Sequence, residues 1–448
     1  MKKIIVLAGV LCSVSSIALA ETLPEVLSFT YENNPTIMAA RAGLRATDES
    51  VSIAKSGYRP NVKAEGSVGR SHNKLKYDTS LYSNSLNQTP VDVSVSFVQP
   101  VFSGLSTYQS VRAAKSQVKY GEASLFDTEQ NVLLDAIAAY MDVIRDEAVL
   151  NLRKSNEKVL KKHLESYKKR YHVGELTRTD ISQSEARVSG AHADVIAAEG
   201  DVKVSRAKYL DIIGQEPLHL QDVNITDASL PSSLDEALTL ALSDNPQIQA
   251  ADYAKDAAKY DVKSNMGTLA PSVDVRGAAG HQKNSQLVDS ADYWQVTANL
   301  TVPLYQSGSE YAKVRQAKQI ENQQRILLEK IRSAVKADTT SAWEQYQSTK
   351  AQIASIQDQI KASKTALDGV IREADVGQRT VLDVLDAEQE HLNNQVKLVQ
   401  VHREEVIAAY GLMMAIGQLS PTGLNLSVAQ YNPADYDGQN RWFGTSID

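Results

Sequence analysis

The chain has almost no cysteine. Its only one, Cys12, lies within the first twenty residues, so no disulfide can staple the remainder. Leu11 stands before it, where a lipoprotein signal needs a small residue, which argues against lipid attachment. Long apolar runs are missing too. Beyond residue 20 nothing approaches the roughly 20 consecutive apolar residues of a membrane helix, so any membrane crossing has to use strands. Basic charge is in deficit: setting aside Lys2 and Lys3 leaves 45 of the 47 basic residues against 54 acidic ones, a net charge of −9, and nothing points to a nucleic-acid partner. Catalytic signatures are absent as well. There is no phosphate-binding glycine loop, no His-Glu-x-x-His and no Gly-x-Ser-x-Gly, and the 8 histidines are not spaced as metal ligands. His163 and His172 read as solvated helix residues, and neither an enzyme nor a cofactor is expected.

What is present begins with an export signal over 1–20. Lys2 and Lys3 precede the apolar run Ile4 to Val14, and Ala18-Leu19-Ala20 forms a small-residue cleavage site before Glu21. After it the chain repeats itself. Leu23, Glu25, Leu27, Asn34, Pro35, Ile37, Pro60, Val62, Gly66 and Gly69 recur 211 positions later, from Leu234 to Gly280. The offset then becomes 203: "YQSVRAAK" from 108 matches "YAKVRQAK" from 311, and "IGQ" at 213 matches "IGQ" at 416. The change of offset places a longer hairpin loop, rich in Ser, Asn and Tyr, between about 71 and 90 of the first copy. The first repeat covers 21–214 and the second 234–417, with a linker over 215–233 and, over 418–448, a closing segment that ends in a disordered tail.

Within each repeat the periodicity changes twice. Asn34-Pro35 and Asn245-Pro246 read as an N-cap followed by proline in the first helical turn. The period then falls to two, predicting strands over about 60–72 and 90–101, and again over about 271–283 and 293–304. Val91, Val93, Val95 and Phe97 alternate with Asp92, Ser94 and Ser96, while Trp294, Val296, Ala298 and Leu300 alternate with Gln295, Thr297 and Asn299. Such segments have the length and the two-faced character of strands in a transmembrane barrel, although a soluble hairpin with one buried face shows the same alternation. Helical periodicity without proline follows over 104–172 and 308–375, each about 100 Å if continuous. Shorter helices return over 176–213 and 379–416, where Ile181, Val188, Val195, Val202 and Tyr209 keep a seven-residue spacing that Leu385, Leu392, Val399, Val406 and Met413 repeat. Four strands cannot close a barrel, and open edges in lipid leave backbone groups unpaired, so strands must be pooled between chains. Two chains give 8 strands with a side-chain-filled interior; three give 12 and leave a channel, which the long helices favour.

This plan resembles the TolC family of outer-membrane channel proteins over nearly the whole chain after residue 20. The resemblance is carried by "NNP" and "DNP" opening the repeats, "QPVFSG" at 99–104, "VPLYQSG" at 302–308 and "VGQRTVLDVLDAEQ" at 376–389. It implies a mainly α-helical homotrimer with a shared 12-stranded barrel in outer-membrane lipid, a helical tunnel across the periplasm, and an equatorial layer built from the linker and C-terminal segment. It also implies export of drugs or secreted proteins, delivered by an inner-membrane transporter, either an ABC transporter or a proton-driven pump, through a periplasmic adaptor. A structural coiled-coil envelope protein or adhesin is the alternative; it accounts for the heptads but not for four alternating strands in matched positions.

Two stretches carry the functional expectations, "VGELTRTD" at 173–180 and "VGQRTVLD" at 376–383. In each, a glycine turn is followed by Thr-x-x-Asp, which reads as a capping box. Asp386 has no counterpart, since the first repeat carries Gln183 there. The resemblance implies that Asp383 and Asp386 form acidic rings in the lumen of the periplasmic entrance. It also implies that Arg379, reaching the Thr179 region, and Asp180 form links holding the entrance shut, and that Val173, Gly174, Val376 and Gly377 form tips that meet the adaptor. The tyrosine that partners this aspartate in the family falls on Ala374, so one link is either absent or made by another residue such as Arg372 or Glu373, and a more loosely held closed state is expected.

Overall fold

The computed structural model describes residues 21–76, 83–223, 225, 230–284, 289–433 and 436. The export signal and most of the expected C-terminal tail lie outside these residues. Two compact units are formed: Met1–Met38, Thr128–Asn245 and Val335–Gln430 make the first, and Ala39–Asp127, Pro246–Ala334 and Tyr431–Asp448 the second. The tandem repeat is plain in the element order. α1 (Leu23–Asn33), α2 (Pro35–Lys55), β1 (Asn61–Val68), β2 (Ser71–Lys76), β3 (Ser83–Gln88), β4 (Val91–Ser103), α3 (Ser106–His172) and α4 (Arg178–Ile213) are followed by α5 (Leu234–Asp244), α6 (Pro246–Gly267), β5 (Ser272–Lys283), β6 (Ser290–Thr301), α7 (Ser309–Asp375) and α8 (Val381–Ala415). α3 and α7 are each 67 residues long. Among the described residues no helix is long and apolar enough to cross a membrane.

In the first unit the core gathers around the middle of α3. Leu133, Ile137, Tyr140 and Met141 are buried with Leu27 and Tyr31 of α1, Tyr209 and Ile213 of α4, and Val406 and Met413 of α8. The linker and the C-terminal segment pack on this same core through Leu220, Val223 and Leu230 and through Leu424, Leu426 and Val428. Burial pushes the Tyr140 phenol up to about 12, and its hydroxyl donates to the Gln221 carbonyl at 2.6 Å, tying the linker down. The Asn-Pro pairs have a physical task. Asn34 caps α2 by accepting from the Thr36 amide at 2.8 Å, and its side-chain amide donates to the Ile212 carbonyl at the end of α4 at 2.8 Å. Asn245 makes the equivalent bond to the Ala415 carbonyl at the end of α8, at 3.0 Å. Each buried asparagine thus satisfies a terminal carbonyl that its helix leaves unpaired.

Asp142 on α3 is the polar counterpart of that core. It accepts from Arg145 at 2.8 Å and from Arg403 of α8 at 2.9 Å, and Lys208 of α4 lies 3.7 Å away. One carboxylate therefore draws cations from three helices.

In the second unit β1, β4, β5 and β6 form one antiparallel sheet in the order β1-β4-β5-β6. The register aligns the apolar rows on a single face: Val62 opposes Phe97, Phe97 opposes Gly277, and Gly277 opposes Val296. The reverse face carries Lys63, Ser96, Ala278 and Gln295 at one level, with Arg276 and Thr297 at the next level along the same face. Gly277 is required by its neighbour, because a Cβ there would sit 2.1 Å from the Phe97 ring. Apolar side chains on this face remain open to solvent in the single chain; Trp294 is 80% exposed. Among the described residues β1 and β6 are the outer strands, each with one edge unpaired.

Several boundaries differ from the sequence reading, among them β6, expected over about 293–304 and found at Ser290–Thr301. The strand expected over 60–72 stops at Val68, and after Gly69-Arg70 the chain starts a separate ladder in which β2 pairs β3 from Ser71 opposite Gln88. The stretch read as a loop between about 71 and 90 thus contains paired strands, held by backbone bonds that need no apolar alternation. Another difference lies at the entry to α3 and α7. Both helices begin after a glycine of positive φ, Gly104 at +62° and Gly308 at +79°, which turns the chain out of the strand.

Candidate functional site

The two helical hairpins of the first unit end in the same turn. Past α3 the Gly174 amide donates to Tyr171 and the Glu175 amide to Arg170, at 3.0 and 2.9 Å; past α7 the Gly377 amide donates to Ala374 and the Gln378 amide to Glu373, at 3.1 and 2.9 Å. These are paired C-terminal caps of the Schellman kind, with Gly174 at φ +83° and Gly377 at +81°. Val173 and Val376 project beside them, each 72% exposed. The next helices start alike. Thr177 and Asp180 exchange a capping box, with the Thr177 amide donating to Asp180 Oδ2 at 2.8 Å and the Asp180 amide to Thr177 Oγ1 at 3.3 Å. Thr380 and Asp383 repeat it at 2.9 and 3.2 Å. The Thr380 backbone amide, its hydroxyl and the nearby Arg379 hold the Asp383 carboxyl below the usual range.

A small apolar cluster sits under the tips. Leu160 and Tyr167 of α3, Ala191 of α4 and Val381 and Leu385 of α8 are buried together, with Leu176, Ile181 and Val188 against them. The heptad rows read from the sequence thus join the two hairpins here. Burial pushes the Tyr167 phenol up to about 12.

Near the tips two ion pairs cross between the hairpins, in addition to the Arg403–Asp142 pair farther along them. His163 of α3 donates from Nε2 to Glu388 Oε1 of α8 at 2.9 Å, its ring stacked on Tyr167 with centroids 5.8 Å apart. The hydrogen bond and charge of Glu388, aided by Asp375, raise the His163 pKa against the opposing effect of burial. Glu388 is only 7% exposed. The second pair joins Arg187 of α4 to Asp386 of α8. His163 is therefore no freely solvated residue, whereas His172 is exposed and donates to the Lys168 carbonyl.

The remaining expected site residues fall as follows. Arg379 donates to Glu373 at 2.9 Å, across its own turn, while Thr179 stands exposed near the start of α4. Asp180 is engaged by Thr177 at 2.7 Å and 2.8 Å within the capping box. Asp383 and Asp386 sit one turn apart on α8, with Asp383 turned to its cap and Asp386 to Arg187. Sequence reasoning did not single out Glu388 or Arg187, and it read His163 as a solvated helix residue. Glu388 had a signal: it stands three residues past Leu385 and four before Leu392, a carboxylate inside an apolar stripe. Arg187 had none.

The chain was compared with known proteins. The family described as "Outer membrane efflux protein" matches residues 26–215 and 237–418. The outer membrane efflux protein BepC of Brucella suis is 36% identical over 431 residues, covering 95% of this chain and 92% of that protein. The outer membrane protein TolC of Vibrio cholerae is 26% identical over 433 residues, covering 94% and 96%. Among solved structures, the Campylobacter jejuni CmeC outer membrane channel superposes with a TM-score of 0.79 at 16% identity, covering 88% of this chain and 85% of that one.

Proposed function

Since the chain belongs to the outer membrane efflux protein family, we propose that three copies enclose one pore whose inner end is held shut by ties between the two hairpins of each copy. The protein is an outer-membrane exit duct of the TolC family reaching into the periplasm, and the family is one of channels rather than enzymes. The observation that carries the three-chain reading is the open-edged sheet. An even number of antiparallel strands leaves β1 and β6 pointing in opposite directions, so β6 of one copy can pair β1 of the next and the ring stays antiparallel throughout. Three copies give 12 strands and a lumen, with the apolar rows facing lipid.

At the hairpin turns, Asp383 and Asp386 face the lumen as two rings of carboxylates that favour cations. Arg379, Thr179 and Asp180 serve as links between neighbouring helix pairs, as the family resemblance implies. The side chain missing at Ala374 is offset by His163–Glu388 and Arg187–Asp386, both of which join the first hairpin to α8. The closed state is thus held by different residues rather than simply more loosely. Val173, Gly174, Val376 and Gly377 offer two equivalent tips per chain to a periplasmic adaptor, which couples the duct to an inner-membrane transporter.

Single-channel recording of the purified protein in a planar bilayer tests this. Wild type is expected to pass a small cation-selective current, Asp383→Ala with Asp386→Ala to lose that selectivity, and Arg187→Ala with His163→Ala to raise the resting conductance. A protein that forms no channel would return the coiled-coil envelope reading, and selectivity unchanged in the carboxylate variant would remove both aspartates from the lumen.

A further inference from the structure

The motif shared by 108–115 and 311–318 keeps three side chains that helix formation does not require: Tyr108, Arg112 and Lys115 in the first repeat, Tyr311, Arg315 and Lys318 in the second. Their spacing of four and then three residues puts each trio on one side of its helix, within the first turns of α3 and α7. Packing accounts for Val314 and Ala317 of the same motif, which are buried, but not for Tyr311, Arg315 and Lys318, which are exposed. Charge is also uneven here. Over 103–120 Arg112, Lys115 and Lys119 stand without an acidic residue, and over 303–320 Lys313, Arg315 and Lys318 are set against Glu310 alone. The chain as a whole is acidic, with 54 Asp and Glu to 47 Lys and Arg, so basic charge is gathered where the long helices leave the sheet.

The first stripe continues the apolar face of the sheet. After the bulge between Pro100 and Phe102, Phe102 opposes Val273, which stands four residues before Gly277 and so on the same apolar face. A cavity of about 60 Å³ there has Phe102, Tyr58 and Tyr108 in its lining, and the Arg112 guanidinium lies 5.8 Å from the Tyr108 ring centroid. Apolar face, aromatic ring and cation therefore follow one another down one side of the unit. Tyr260 of α6 fixes the guanidinium by accepting from Nη2 at 2.7 Å, which uses one of its five donors. At 1.5 Å per residue from Ser106, Arg112 and Lys115 stand about 9 and 14 Å past the start of α3. Long basic side chains at that depth reach the headgroups bordering a hydrocarbon layer, and a guanidinium beside an ammonium suits a phosphate ester. We propose that the Tyr-Arg-Lys stripes of α3 and α7 bind the headgroups of acidic phospholipids in the leaflet nearer the helices. The assignment rests on the reading of the sheet as part of a lipid-embedded barrel.

The test is native mass spectrometry of the purified full-length protein, taken into a non-ionic detergent from vesicles of phosphatidylglycerol and phosphatidylcholine in equal amounts, with each retained lipid counted. Wild type is expected to retain phosphatidylglycerol about fivefold over phosphatidylcholine or more. Arg112→Gln with Arg315→Gln is expected to abolish that preference. Lys115→Gln with Lys318→Gln, at two exposed positions, is expected to lower it about threefold. Lys158→Gln with Lys364→Gln removes the same charge from exposed positions farther along α3 and α7, and is expected to leave the preference unchanged. Equal retention of the two lipids by wild type overturns the headgroup assignment alone. So does a preference that both stripe variants keep, or one that the Lys158 and Lys364 control loses to the same extent. Retention of neither lipid overturns it together with the barrel reading.

Discussion

The hairpin of α3 and α4 and the hairpin of α7 and α8 are built from one plan, and their likeness stops at the side chains that look outward. Turn, glycine and capping box coincide to within a few tenths of an ångström in their hydrogen bonds. The counterpart of Glu388, 203 residues earlier, is Glu185, and it stays within its own hairpin, pairing with Lys168 of α3 at 2.8 Å while both remain about half exposed. Glu388 instead is buried and pairs with the opposite hairpin. Asp386, although exposed, also pairs with the opposite hairpin, through Arg187, where the first repeat has Gln183. Repetition thus conserves what makes a hairpin end, and divergence supplies what ties one hairpin to another.

The sharpest way to break this comparison is to remove one partner from each glutamate. His163→Ala strands a buried carboxylate and is expected to cost about 3 kcal/mol, whereas Lys168→Ala unpairs an exposed one and is expected to cost less than about 1 kcal/mol, both read from thermal melts of the purified protein. Equal losses would show that burial does not distinguish the two pairs. The same histidine gives the comparison a pH axis. Because its pKa is raised in the folded protein, the stabilisation is full below its ordinary value of 6.5 and is lost as pH rises through the elevated one. Wild-type stability is therefore expected to fall on the alkaline side of 6.5 by a component that His163→Gln lacks.

Substitutions in the shared parts are expected to act alike in both hairpins. Gly174→Val and Gly377→Val each force a branched residue into left-handed backbone, at about 1–2 kcal/mol, and are expected to crowd the proposed adaptor tips without disturbing the proposed trimer. Crosslinking to the adaptor and native gel migration check both halves of that statement. Smallest are the caps: Thr177→Ala and Thr380→Ala are each expected to cost about 1 kcal/mol in denaturant titrations, and a clear inequality would mean that one hairpin end bears a load the other does not.

Much of the architecture was legible because it rests on period and punctuation. The change from period two to helical spacing announced strands and then long helices, and the Asn-Pro, Val-Gly and Thr-x-x-Asp signals act within a few residues of themselves. The β2–β3 ladder escaped notice because backbone pairing needs no alternation of side chains. The cross-hairpin pairs were hidden for another reason. Arg187 and Asp386 are 199 residues apart, and only the packing of α4 on α8 makes them neighbours. The Arg379 position illustrates the same limit: the sequence fixes its charge, but its partner within the chain, Glu373, follows from the shape of the turn.

The unpaired edges at β1 and β6 also carry a genetic consequence. In the proposed ring, a strand that finds its partner only on another copy makes each subunit answerable for its neighbours, since a ring lacking one good edge has a seam of unpaired backbone in lipid. A variant that folds its helices normally but spoils β6 would be drawn into mixed rings. In a cell making equal amounts of both forms, only roughly one ring in eight would be wholly wild type if three copies join at random. Such an allele is expected to be dominant, whereas one that prevents folding altogether is expected to be recessive.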